Sequence, residues 1–101
     1  MRVSIYSLQN TLFDGQAEKL IARTPQGQIT VLNHHLPMVI MLVGPTVEVI
    51  GGDAEKTSVP IRKGFLEVRP ESNVVILAES QENPMSTNSS DRKDLLTRET
   101  R

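Results

Sequence analysis

His34 and His35 are the only side chains in this chain of 101 residues that ordinarily titrate near neutrality. A histidine can act as general base for a serine nucleophile or ligate a metal. Serines are plentiful, but no Gly-x-Ser-x-Gly elbow presents one as a nucleophile. No acid stands close in sequence to orient either ring. Adjacent residues of an extended segment point to opposite sides, so the two rings would not share an ion. With no cysteine in the chain, a closed zinc site also lacks its usual remaining ligands. The reading is that one histidine hydrogen-bonds within its loop while the other faces solvent or a partner. Gly51-Gly52 is too short to cradle a phosphate, and no Gly-Lys-Ser/Thr follows it. No catalytic, cofactor-binding or metal-ligating residue is assigned, and no cofactor is expected. Arg62-Lys63, and Lys19 with Arg23, are small basic pairs. They read either as solvated strand faces or as the rim of a protein interface.

Composition narrows the function classes further. The net charge is -1, so no broad basic field exists for nucleic acid or anionic lipid. Tyr6, Phe13 and Phe65 are the only aromatics, too few for a base-stacking platform. No segment approaches the roughly 20 apolar residues of a spanning helix. The longest greasy run, Leu36 to Val43, carries Pro37 and stops at Gly44-Pro45. Met1 to Ile5 alternates as a strand does and lacks the layout of a signal peptide. The expectation is a cytoplasmic protein, held at a membrane, if at all, by another subunit.

The apolar period is two along most of the chain. Val3 and Ile5, Leu20 and Ala22, Val47 and Val49, and Leu66 and Val68 each alternate with polar or exposed-type neighbours. Met38 to Val43 and Val74 to Ala78 are apolar on both faces and read as central strands covered on each side. Asp14-Gly15, Pro25-Gln26-Gly27, Gly44-Pro45, Gly51-Gly52-Asp53 and Pro70 to Asn73 read as turns. About nine strands at such spacing predict an all-β sandwich or barrel over residues 1–79. Residues 80–101 are polar, then charged, with Met85, Leu95 and Leu96 as the large apolar side chains. They read as a disordered or weakly helical tail.

Four phrases in order carry a family resemblance. They are Leu12 to Glu18 (Leu-Phe-Asp-Gly-Gln-Ala-Glu), Gly27 to Leu32 (Gly-Gln-Ile-Thr-Val-Leu), His35-Leu36-Pro37, and Gly64 to Val68 (Gly-Phe-Leu-Glu-Val) followed by Val74 to Ala78. The set resembles the N-terminal domain of the F-type ATP synthase epsilon subunit. The resemblance implies a flattened antiparallel β-sandwich of about nine to ten strands. It implies a non-catalytic rotor-stalk subunit that fastens the gamma subunit to the membrane c-ring. The subunit would be peripheral, on the cytoplasmic face of a bacterial membrane.

Position by position, it places Ser7, His35, Ile40 and Arg62 toward gamma, and Gln28, Thr30, Asn33 and His34 in the loop facing the c-ring. Gln28 stands where relatives carry an acid, so a charge contact there becomes a neutral one. Thr30 replaces a glycine and Asn33 a proline of the family loop, and Lys63 stands where many relatives have a second glycine. Longer relatives continue into an inhibitory helical hairpin; residues 80–101 are too short and too polar for it. The competing expectation is a free-standing β-sandwich that binds a ligand or a protein. It would need a concave apolar pocket, which the sequence does not place.

Overall fold

Period-two alternation turns into strand wherever one side of the chain can be buried. The computed structural model describes residues 1–80, in which seven strands carry nearly all the apolar residues. They are β1 (Arg2–Tyr6), β2 (Thr11–Gln16), β3 (Lys19–Thr24), β4 (Gly27–Leu32), β5 (Met38–Ile50), β6 (Lys56–Arg69) and β7 (Asn73–Ser80). All seven lie in one sheet of order β2-β1-β7-β6-β5-β3-β4.

The all-β class is as the sequence predicts, with three corrections. The sheet is mixed, because β1 and β7 pair in parallel while the other neighbours are antiparallel. There are seven strands rather than about nine, because Gly44-Pro45 sits inside the 13-residue β5 and does not end it. Asp14-Gly15 is no hairpin turn: both residues are inside β2, opposite Ser4 and Val3. The β1–β2 reversal is made at Ser7–Asn10. There the Ser7 hydroxyl oxygen accepts the Asn10 N–H at 3.0 Å and the Ser7 N–H donates to the Asn10 carbonyl at 2.8 Å. A serine hydroxyl thus supplies the turn chemistry that an Asp-Gly pair advertised.

The long strands explain how one sheet makes a core. In β5 the buried side chains are Leu42, then Val47 and Val49; in β6 they are Val59 and Ile61, then Leu66 and Val68. Each strand therefore changes parity once, at Gly44-Pro45 and across Ile61-Arg62. The β5–β6 pairing keeps one register on both sides of that point, from Val43↔Lys63 to Thr46↔Pro60. An extra residue in each strand keeps the same face inward while the ladder bends. A Cβ on Gly44 would run into the Ile61 carbonyl oxygen, so the bend needs a residue without one. Among the described residues there is no α-helix. The folded sheet must therefore cover its own apolar face, and the buried residues form one cluster fed by both halves.

One end of the molecule is tied by polar contacts. The N-terminal ammonium donates to the Ala17 carbonyl at 2.9 Å and to Asn33 Oδ1 at 2.6 Å. The His34 N–H donates to Ser72 Oγ at 3.1 Å, joining the loop after β4 to the turn Pro70–Ser72. β7 runs through Ser80, one residue past the domain boundary read from composition. The remainder of the tail reading concerns residues 81–101, which lie outside the described ones.

Candidate docking face

Alternate residues of β5, β6 and β7 point away from the core, and register places them in rows. Met41 stands opposite Phe65, and Phe65 opposite Leu77; Tyr6 of β1 continues the row beside Leu77. The next row is Val39, Glu67 and Val75, and the row on the other side is Val43, Lys63 and Glu79. Val39 is 69% exposed, Met41 48%, Phe65 57% and Leu77 61%. Leu8, in the β1–β2 turn, is also fully exposed. Ser7, Leu8, Met41, Gly64, Phe65 and Leu77 border a groove of about 380 Å³.

This clustering is unlike scattered surface apolarity. Full burial of one large apolar side chain gains about 1.5–3 kcal/mol, so several standing side by side favour a cover. The outer face of the other half of the sheet is different. It carries Lys19, Arg23, Gln28 and Thr30, and a Lys56–Glu48 ion pair at 3.6 Å. Leu32, opposite Lys19, is exposed on that side too, but its charged and polar neighbours suit hydration better than the first side does.

Behind the groove, β6 and β7 approach closely at Gly64. A Cβ there would lie 2.5 Å from the Leu77 carbonyl oxygen and 2.9 Å from the Ala78 Cα. The glycine allows the two strands to present Phe65 and Leu77 as neighbours. At the rim, Arg62 reaches Glu79 at 3.7 Å and Arg69 reaches Glu67 at 3.1 Å.

The residues expected to face gamma do not all meet. Ser7 borders the groove, and Arg62 stands at the same end, at the bend of β6. Ile40 points the other way, half-buried against the core opposite Leu66. Its neighbours Val39 and Met41 carry the outward apolar surface. His35 lies beyond the far end of β5, with Nδ1 2.9 Å from the Leu36 carbonyl oxygen and its N–H donating to Leu32 O at 3.2 Å. Of the residues expected to face the c-ring, Gln28 and Thr30 are exposed on β4, the edge strand. Asn33 and His34 sit in the loop that follows, anchored to Met1 and Ser72. His34 has a positive φ of 63°, a conformation common at tight reversals.

The sequence reading did not single out Val39, Met41, Phe65, Leu77 or Leu8. The signal was present in Met38 to Val43 and Val74 to Ala78, which are apolar on both faces. Those runs were expected to be covered on each side. The structure covers one side with the core and leaves the other bare.

The model of the ATP synthase delta/epsilon chain beta-sandwich domain matches residues 1–84. The chain belongs to that family. Within it, the ATP synthase epsilon chain of Alkalihalophilus pseudofirmus is 34% identical over 84 residues, covering 83% of this chain and 62% of the relative. That of Hydrogenovibrio crunogenus is 38% identical over 80 residues, covering 79% and 54%. This chain thus matches less than two thirds of the length of these epsilon chains. The fold also resembles a chain of the Euglena gracilis mitochondrial ATP synthase, at TM-score 0.70 and 22% identity, covering 75% of this chain and 48% of that one. A chain in the Tetrahymena thermophila mitochondrial ATP synthase central stalk/c-ring structure superposes at TM-score 0.64 and 11% identity, covering 98% and 79%. At those identities the two structures show a shared fold and nothing further.

Proposed function

We propose that this chain is a non-catalytic subunit of the central stalk of an F-type ATP synthase, where it fastens the gamma subunit to the membrane c-ring. The observation that carries the reading is the row Met41–Phe65–Leu77, exposed with Val39 across three adjacent strands. On this reading gamma covers that face, and the buried row replaces the second apolar layer that β5 and β7 lack. The end carrying Asn33, His34 and the β4 edge faces the c-ring. Rotation needs a stiff coupling, and a sheet folded on a close-packed core supplies one. Among the described residues no helix is long and apolar enough to cross a membrane. The proposed place is therefore the periphery of the complex, on the cytoplasmic face of a bacterial membrane. Residues 81–101 add no inhibitory helical arm on this reading, which rests on their polar composition.

Size exclusion of the chain mixed with purified gamma tests this. Co-elution as a one-to-one complex supports the stalk reading, and persistent separation contradicts it. The groove of about 380 Å³ is the observation that favours the alternative, a free-standing binding module. A small apolar molecule bound there tightly, with no gamma complex, would favour that alternative.

A further inference from the structure

Four non-glycine residues among the described ones have a positive φ, and three of them gather at one end of the sheet. His34 has φ 63°, Glu71 φ 66° and Ser72 φ 57°; the fourth, Ala54, lies in the β5–β6 turn. Two reversals far apart in sequence hold the three. The His35 N–H donates to the Leu32 carbonyl at 3.2 Å, which closes a turn with His34 as its third residue. A positive φ at that place ordinarily selects glycine or asparagine. Arg69 and Asn73 are register partners, so Pro70, Glu71 and Ser72 make the whole β6–β7 reversal. Reversals of that length ordinarily contain one left-handed residue, and this one contains two. Left-handed backbone is unfavourable for any residue with a Cβ and persists where the surroundings determine it.

One hydrogen bond joins the two reversals. The His34 N–H donates to Ser72 Oγ at 3.1 Å. Asn33 Oδ1, next along the same loop, accepts from the Met1 nitrogen at 2.6 Å. Ser72 is half-buried whereas Asn33 and His34 are exposed, so the fixed side of the bond is the β6–β7 turn. We propose that Ser72 is a positioning residue: its hydroxyl fixes Asn33 and His34 in the single conformation that a partner at this end of the molecule reads. The second left-handed residue of the β6–β7 turn aims that hydroxyl at the loop.

A loop already fixed loses little backbone freedom on contact, so the partner binds more tightly without touching Ser72. On the stalk reading, on which this step rests, that partner is the c-ring. The apolar face assigned to gamma is built from other residues, Met41, Phe65 and Leu77. Ser72 should therefore affect binding to the ring and not binding to gamma.

Amide nitrogen relaxation, measured by NMR on the full chain and three variants, tests the clasp. Ser72→Ala removes the hydroxyl. Ser72→Gly removes it and also relieves the left-handed backbone. Ser72→Asn keeps an acceptor oxygen and tolerates a positive φ. Order parameters of Asn33 and His34 should be about 0.85 in the parent and in Ser72→Asn, and below about 0.6 in Ser72→Ala and Ser72→Gly. Thermal melts should show all three variants folded. Affinity of the preformed gamma complex for purified c-ring should fall about three- to tenfold in Ser72→Ala and Ser72→Gly and return in Ser72→Asn. Affinity for gamma should not change. A rigid loop in Ser72→Ala overturns the proposal. So does a rigid loop in Ser72→Gly, which would assign the order to backbone conformation and not to the hydroxyl. A loop as loose in Ser72→Asn as in Ser72→Ala overturns it, as does a loosened loop with unchanged ring affinity. A parent chain that binds neither gamma nor the ring removes the stalk reading, and the relaxation data then still decide whether Ser72 holds the loop.

Discussion

Val39 and Ile40 differ by one methylene and by which side of β5 they occupy. Ile40 packs against the core, opposite Leu66, while Val39 stands in the outward apolar field. Ile40→Ala should therefore cost stability, about 2 kcal/mol given its partial burial. Val39→Ala should leave stability within about 0.5 kcal/mol and weaken partner binding instead. Chemical denaturation of the pair, beside a gamma-binding measurement, separates the two roles. Gly64 makes a second residue-scale case. Its missing Cβ is what lets the Leu77 carbonyl approach, and backbone cannot step aside as a side chain can. Gly64→Ala should destabilise by about 1–3 kcal/mol, read as a lowered denaturation midpoint with unchanged slope. The histidines fit the bland reading of the sequence: His35 is hydrogen-bonded to its own loop and His34 faces solvent.

At the scale of elements, the paired strands β5 and β6 form the longest ladder of the sheet. Their inward residues alternate with the period the sequence displays, so Leu66, Val68, Val47 and Val49 were legible as core. What the period does not show is continuity. Gly44-Pro45 has the composition of a turn, yet the ladder resumes in register at Thr46, because tertiary pairing with β6 outweighs local preference. Asp14-Gly15 misleads for a related reason: Asp14 is held in β2 by Arg2 at 2.8 Å and by Ser4 Oγ at 3.2 Å. The parallel pairing of β1 with β7 was not legible at all, since alternation carries no information on which strands meet. The candidate site was half legible. Doubly apolar runs announced that two faces need covering, but no single chain discloses that one cover is missing from it. Gly44→Ala tests the bend itself. With the Ile61 carbonyl in the way, it should lower the thermal midpoint and cost about 1–3 kcal/mol.

As a whole, the molecule is a sheet folded over one core, hydrated on one outer side and apolar on the other. Its surface ion pairs are exposed, so they contribute little to stability. Burial supplies the stiffness that the proposed stalk role would demand. Ending the chain after Ser80 should leave both the melting temperature and gamma binding nearly unchanged, because β7 closes the ladder there. Scanning calorimetry and a binding titration of the shortened chain check this. The most direct test of the account is a calorimetric titration of gamma into the folded double variant Phe65→Glu, Leu77→Glu. The variant should melt close to the parent and bind gamma about a hundredfold or more weaker, as for loss of two central anchors. Parent-like affinity in that variant would contradict it, because gamma would then be gripping some other surface.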